Sequence, residues 1–393
     1  MTSARWRAEA ALAALCAVVM VVAGAGTVFL VITVRPVHTD PAAIPSAAAD
    51  VDAGTHAAAV DEAARRARAL LVGENLPGLS VAVGIDGAIV WAEGFGYAGV
   101  DRTPMTPLTR FRLGALSKPL TAAAVALLHD RGRLDLDAPV HRYVPAYPQK
   151  QWTVTMRQLM GDVAGVHRIR GDNNDAMPNR HCASLDEAVA LLADDPLLFE
   201  PGTQHRYSIW GWVLVSAAVE GASGEPFGRF VVRQVFEPLA MDRTLVAETD
   251  TAMNAPTSIL GIRVGVKEAK RPDYSCLAGA GAFLSTPTDL VRFGSAMLRP
   301  GFLKADTIAA FQTPTRLESG ATTTYALGWT VNNIRLGGEP TRMLSHRGSP
   351  MGGSVSLLMF PDLGLEIAAA ANLTDVTRVN AFALQVAEAF ARH

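Results

Sequence analysis

The pattern of apolar positions changes period several times along the chain. Residues 10–34 form an uncharged, almost wholly apolar run of 25 residues. As a helix rising 1.5 Å per residue, that run outreaches a bilayer core of roughly 30 Å. It has no polar face, which argues against a buried core helix. Its length favours an uncleaved signal anchor over a cleaved signal peptide. Arg5 and Arg7 before it and Arg35 after it give only a weak orientation bias. The expectation is a cytoplasmic segment 1–9, a transmembrane anchor 10–34 and a main domain outside the cytoplasm. Residues 35–59 are rich in Ala, Pro, Asp and Thr without apolar periodicity, and read as a linker. Helical spacing then predicts a first helix over 60–72. Two β-rich runs, 79–85 and 88–92, flank Asp86-Gly87, a two-residue hairpin signal.

Residues 122–128 are an Ala-rich apolar run entered through a Gly-bearing turn, so a helix is expected there with Pro119 in its first turn. From there to about residue 241 the pattern is mainly helix and loop, including a helix over 213–220. A helix over 287–298, strands over 324–334, 354–360 and 364–371, and a closing helix over 376–391 complete the chain, with Pro361-Asp362-Leu363-Gly364 as the turn between the last two strands. A helix and hairpin at one end, strands and a helix at the other, and a helical insert between them imply one antiparallel sheet assembled from both chain ends, an α+β sandwich.

Composition narrows the function classes. The 393-residue chain has a net charge of −2 and a pI near 6.5, so it lacks the electrostatic footprint of a nucleic-acid binder. Of the three cysteines, Cys16 lies in the apolar run, which leaves Cys182 and Cys276 as the one possible disulfide of the main domain. Nothing in their spacing demands a bond, and His181-Cys182 lacks the further ligands of a zinc site. No metal or cofactor is expected. Arg170-Gly171-Asp172 is an integrin-type tripeptide that chance explains.

Chemistry concentrates in three segments. The first is Phe111-Arg112-Leu113-Gly114-Ala115-Leu116-Ser117-Lys118-Pro119. Ala115 and Lys118 stand three apart, on one face of a helix's first turn and at its positively polarised end. Ser117 is two residues along from Ala115, roughly 200° round the axis, and should face away. The second is Arg206-Tyr207-Ser208-Ile209 ahead of the helix at 213–220, and the third is His346-Arg347-Gly348-Ser349.

These three segments, in this order, resemble the motifs of the β-lactamase-related serine hydrolases, the LACTB-like branch of the serine β-lactamase and penicillin-binding-protein fold. The resemblance covers roughly residues 60 to 390. It implies a β-lactamase/transpeptidase-like domain over 60–393, an α/β sandwich with an all-α subdomain at about 120–250 and the site at their junction. In that family the first segment reads Ser-x-x-Lys, with the lysine as base for the serine. By the resemblance, Lys118 is that base and Tyr207 shuttles the proton. His346 lines the pocket and, if protonated, could bind a substrate carboxylate. Gly348 lets backbone approach the substrate, and the N–H groups of residues 115 and 349 form an oxyanion hole.

The chain departs from the pattern at its centre: Ala115 occupies the nucleophile position. None of the five lysines has a serine three residues before it. Asp162 and Ala164 replace a His and a Ser that mostly shape the site, and Ile209 replaces an Asn that contacts a substrate amide. Two readings follow. One is a membrane-anchored serine hydrolase for peptide, amide or ester bonds, impaired as written, whose turnover needs a serine at 115 or Ser117 in its place. The other is a pseudoenzyme binding module that retains the cleft. The implied partner is a small-molecule or peptide ligand. Its identity is not encoded in loops such as 173–180, and the sequence carries no signal of oligomeric state.

Overall fold

The computed structural model describes residues 36–167, 181–247, 273–373 and 378–392. The apolar run at 10–34, Arg170-Gly171-Asp172 and the loop 173–180 lie outside the described residues. Among those described, no helix is long and apolar enough to cross a membrane.

The described strands form two sheets. Seven of them, β1 (Ser46–Ala48), β2 (Gly78–Ile85), β3 (Ala88–Gly96), β7 (Thr330–Leu336), β8 (Glu339–Gly348), β9 (Ser354–Phe360) and β10 (Leu365–Ala371), make one antiparallel sheet in the order β1-β3-β2-β10-β9-β8-β7. The early hairpin meets the late strands where β2 pairs with β10, Leu79 opposite Ala371 and Ile85 opposite Leu365. Three short strands, β4 (Phe111–Arg112), β5 (Leu245–Val246) and β6 (Phe283–Ser285), form the second sheet in the order β4-β6-β5.

The two-residue period of the strands decides which core each side chain enters. Leu79, Val81, Val83, Leu358, Phe360, Ile367 and Ala369 pack under helix α1 (Ala57–Gly73) and the last helix of the chain, Arg378–Arg392. Their neighbours Ala82, Leu357, Met359, Ala368 and Ala370 face the other way, into the core shared with the helical insert. Helix α1 offers Ala59, Ala63, Ala67 and Leu71, all fully buried and four apart, so a single stripe meets the sheet. The insert supplies α2 (Ser117–Asp130), α3 (Met156–Met160), α4 (Leu185–Ala190), α5 (Trp210–Ser223) and α6 (Phe227–Val231), followed by α7 (Pro287–Leu298) and α8 (Ala305–Phe311). Helix α2 is buried from Ser117 to Leu128, which its unbroken apolar run requires.

Asp86 and Gly87 take φ of 53° and 86°, the primed turn whose twist matches its flanking strands. Three expectations need correction. The segment 35–59 is not a bare linker: Ile44 is buried, His38 Nε2 meets the Pro77 carbonyl at 3.0 Å, and Ser46–Ala48 pairs with β3. An edge strand bonds through its backbone, so it needs no apolar alternation to announce it. The strand expected from 324 starts at Thr330, because Gly328 (φ 92°) turns the chain and Ala326 N–H bonds Trp329 O. Strand β8 was hidden by its polar Glu339-Pro340-Thr341-Arg342 start, although Gly337-Gly338 (φ 59° and 89°) is itself a hairpin turn.

One buried carboxyl in the sheet yields a stability prediction. Glu366 on β10 is fully buried, and neither carboxyl oxygen has a hydrogen-bond partner among the described residues. Burial pushes its pKa up from 4.5 to about 7; Ser295 and Arg299 oppose the rise and Asp86 adds to it. Across that window the folded chain keeps a proton that the unfolded chain has released. Stability therefore falls as pH rises from about 4.5 to 7, then levels off. Glu366→Gln is expected to flatten this slope. In urea titrations at pH 8 it should gain up to about 3 kcal/mol, less the cost of burying the amide. An unchanged slope would exclude Glu366 as its source.

Candidate active site

The central segment is held by the small sheet. Phe111 pairs with Ser285 and Arg112 with Leu284, and Leu113 N–H donates to Phe283 O at 2.9 Å. The chain then turns at Gly114 (φ 51°) into one turn of 3-10 helix, Gly114–Leu116, that leads directly into α2. This turn presents Ala115 to a cleft of about 760 Å³ at the junction of insert and sheet. Gly114, Ala115, Tyr207, Ile209, His346, Gly348 and Ser349 all line it. Every expected site residue except Lys118 therefore has access to one space.

Lys118 is fully buried in the wall behind that space. Its Nζ sits 3.4 Å from the centroid of the Tyr207 ring and donates to Ser208 O at 3.4 Å. The ammonium thus faces an aromatic ring and a carbonyl, both of which favour a cation. Ser117 does face away: its Oγ is buried and accepts the Phe283 N–H at 3.2 Å, so its hydroxyl does not line the cleft.

Ser208 ties the second segment to the rest. Its N–H donates to Asp162 Oδ1 at 3.2 Å, its hydroxyl donates to His167 O at 2.8 Å and accepts Gly211 N–H at 2.9 Å, and its carbonyl receives Lys118. Asp162, which stands where the family has a site-shaping His, is a buried acid at φ 54° whose carbonyl accepts the Arg206 N–H. Burial raises its pKa from 3.8 to about 7; the positive charge of Lys118 and the Ser208 N–H pull against that rise. Oδ2 has no hydrogen bond among the described residues; the Trp212 indole N–H faces the carboxylate outside bonding geometry.

His346 lies two residues before the end of strand β8. Its Nδ1 lies 3.0 Å from Arg347 O, which can only accept, so Nδ1 carries the hydrogen and Nε2 accepts from the Tyr325 hydroxyl at 3.2 Å. Burial, then the charges of Lys118 and Arg347, push its pKa down to about 3. The imidazole is therefore neutral near pH 7, and the protonation on which carboxylate binding by His346 would depend is absent there. Tyr325 was not legible as a site residue, since a tyrosine in an apolar run reads as core. Burial lifts its phenol well above the ordinary value, Asp162 and Tyr207 adding to the effect, so it remains a hydrogen donor.

Gly348 also makes a close approach within the fold. A Cβ there would fall on the Leu113 carbonyl, 2.9 Å from its carbon and 3.3 Å from Leu116 N. The missing side chain lets β8 close on the turn that carries Ala115, and residues 115 and 349 line the same cleft. Ile209 packs with Tyr274, Leu277 and Ala282 as an apolar wall. That wall is tied down by a Cys182–Cys276 disulfide spanning 94 residues, the one pairing the cysteine count allowed. No group of three or more potential metal ligands occurs among the described residues.

The arrangement combines a neutral imidazole, two phenols, a buried acid and a buried lysine around one open cleft. Known proteins share the chain's overall pattern. The mouse (Mus musculus) protein "Serine beta-lactamase-like protein LACTB, mitochondrial" is 28% identical over 387 aligned residues, covering 73% of this chain and 70% of that protein. Penicillin-binding protein 4* of Bacillus subtilis (strain 168) is 28% identical over 298 residues, covering 70% of this chain and 64% of that protein. Two solved structures share the fold. The octameric penicillin-binding protein homologue from Pyrococcus abyssi has a TM-score of 0.70 at 23% identity, over 83% of this chain and 76% of that one. The hydrolase EstCE1 has a TM-score of 0.73 at 19% identity, over 86% of this chain and 99% of that one. The Beta-lactamase family model matches residues 61–389, nearly the whole domain around the cleft, and on that evidence the chain belongs to the β-lactamase family.

Proposed function

We propose that this chain is a LACTB-like serine-hydrolase fold whose cleft holds amide or ester compounds but does not acylate. The observation that carries the reading is Ala115 itself, a methyl at the mouth of the cleft where the fold would need a hydroxyl, with Lys118 one turn behind it. Without an attacking oxygen there is no acyl-enzyme, and a serine nucleophile accounts for on the order of a millionfold in rate. Binding does not depend on that oxygen. The apolar wall of Ile209, Tyr274 and Leu277 and the open edge at Ser349 are intact. The name of the mouse relative, a serine β-lactamase-like protein, supports carbonyl compounds as the ligand class.

The same reading has the domain outside the cytoplasm behind an anchor at residues 10–34. The Cys182–Cys276 disulfide supports this, because such bonds persist in oxidising compartments.

The test is intact-mass analysis and calorimetry on the full chain in detergent with benzylpenicillin and a fluorophosphonate. Saturable, reversible binding of the penicillin with no mass adduct from either compound is the expected result. An adduct on the unaltered chain would overturn the reading, and so would the absence of any binding.

A further inference from the structure

The buried groups behind the cleft suggest a second change beyond Ala115. Ser208's peptide sits between two opposite charges: its N–H donates to Asp162 Oδ1 at 3.2 Å and its carbonyl accepts Lys118 Nζ at 3.4 Å. Both charged side chains are buried, Lys118 fully and Asp162 to within 2%. The backbone that carries the acid is held in place. Its carbonyl accepts Arg206 N–H at 2.8 Å, and the carbonyl of the next residue, Val163, accepts Gly202 N–H at 2.8 Å. The groups facing this pair come from each packed element. Tyr207 covers Lys118, the Trp212 indole faces Asp162 from α5, Tyr325 approaches ahead of β7, and His346 approaches from β8. Tyr325 is kept neutral by burial and His346 is uncharged near pH 7, so within this set Asp162 is the carboxylate that acts on Lys118, beside the Tyr207 phenol.

We propose that Asp162 is a positioning residue that holds Lys118 as an ammonium against the Ser208 carbonyl and the Tyr207 ring, so the chain is disarmed twice, at the missing hydroxyl and at the base. A general base must be free to take a proton. An anion fixed beside an ammonium opposes that, and the coupling is reciprocal: the charge of Lys118 already restrains the rise of Asp162 towards about 7. Above that pH the carboxylate is ionised and its hold on the lysine is complete.

The proposal rests on reading Ala115 as the nucleophile position, and the experiment separates the two. Full-length chains carrying Ala115→Ser, alone and with Asp162→Asn, are labelled with a fluorophosphonate from pH 5 to 10. Asparagine tolerates the left-handed backbone of residue 162 and removes only the charge. Asp162→Asn should raise the labelling rate at pH 7.5 at least tenfold and move the midpoint of the pH profile down by a unit or more. A change in rate with an unmoved midpoint would mean a merely structural role and would overturn the proposal. If neither chain labels, the reading of Ala115 fails, and the second measurement still decides. Lysine Cε resonances of the chain with Ala115 unaltered are followed with pH, with and without Asp162→Asn. The chain has five lysines, so Lys118 can be assigned through Lys118→Met. Its midpoint should fall by a unit or more with Asp162→Asn; an unchanged midpoint overturns the proposal. If Asp162→Asn does not fold, Asp162→Gly removes the same charge at a position whose φ suits glycine.

Discussion

Ala115→Ser is expected to convert a chain that forms no adduct into one that a fluorophosphonate labels at residue 115. The new hydroxyl oxygen would stand at the cleft mouth, on the one-turn helix that already presents the methyl. In the labelling step the oxygen bonds to phosphorus, fluoride leaves, and the hydroxyl proton passes to Lys118 in the fraction of chains where its amine is neutral. When a serine protease loses its nucleophile, the rate falls by on the order of 10⁶, and about 10³–10⁴ over water survives through the remaining groups. Because Asp162 competes for the lysine, restoration at neutral pH should be smaller, about 10³-fold. Adding Lys118→Met to Ala115→Ser should remove it. Peptide mapping checks the site of the adduct. An adduct on Ser349 or Ser117, or none even with Asp162→Asn, would show that the segment does not carry the chemistry its spacing implies.

Gly348→Ala is expected to damage both the fold and the site. The backbone of Gly348 lies outside the left-handed region, so alanine meets no conformational penalty there; the whole effect is steric. The added Cβ would land on the Leu113 carbonyl, with no flexible side chain to give way. Overpacking of this kind costs about 3 kcal/mol or more, and here the strain falls where β8 closes on the turn around Ala115. The melting temperature should drop by on the order of 5 °C or more. Combined with Ala115→Ser, it should lower labelling further than the loss of folded protein explains. Gly73→Ala is the control: its Cβ meets nothing within 4 Å, and its stability should change by no more than about 0.5 kcal/mol. A Gly348→Ala chain as stable as that control would refute the close approach.

The architecture was legible where periodicity is strong. The strands at 354–360 and 364–371, the helix at 287–298 and the Asp86-Gly87 hairpin follow from spacing and turn chemistry, and the resemblance supplied the remainder of the sandwich. What escaped notice lacks a local signal. Strand β1 is Ser-Ala-Ala at a sheet edge, recognisable only by its partner. The first half of β8 is polar beside the edge strand β7, and its one local mark is the Gly337-Gly338 turn ahead of it. The site divides in the same way. Ala115, Lys118, Tyr207 and His346 were named through the family resemblance, and the fold gathers them at one cleft and the wall behind it. The charge states around them had no such signal, since Asp162 and Tyr325 reach the site from segments 46 residues before Ser208 and 21 residues before His346. Protonation depends on burial and on neighbours brought together by the fold, and no spacing rule encodes it. The close approach of Gly348 to Leu113 likewise had no signal in the sequence.

The pairing of β2 with β10 has a consequence for how the molecule is made. Leu79 has no partner on that side until Ala371 exists, nearly 300 residues later. A nascent chain delivered from its N-terminus must therefore keep the apolar hairpin of β2 and β3 out of water, and away from other chains, for almost the whole of its synthesis. Closure of such a distant contact is slow. Helper proteins should be most needed before the last strand emerges, and a chain truncated ahead of Leu365 should aggregate instead of folding into a smaller domain.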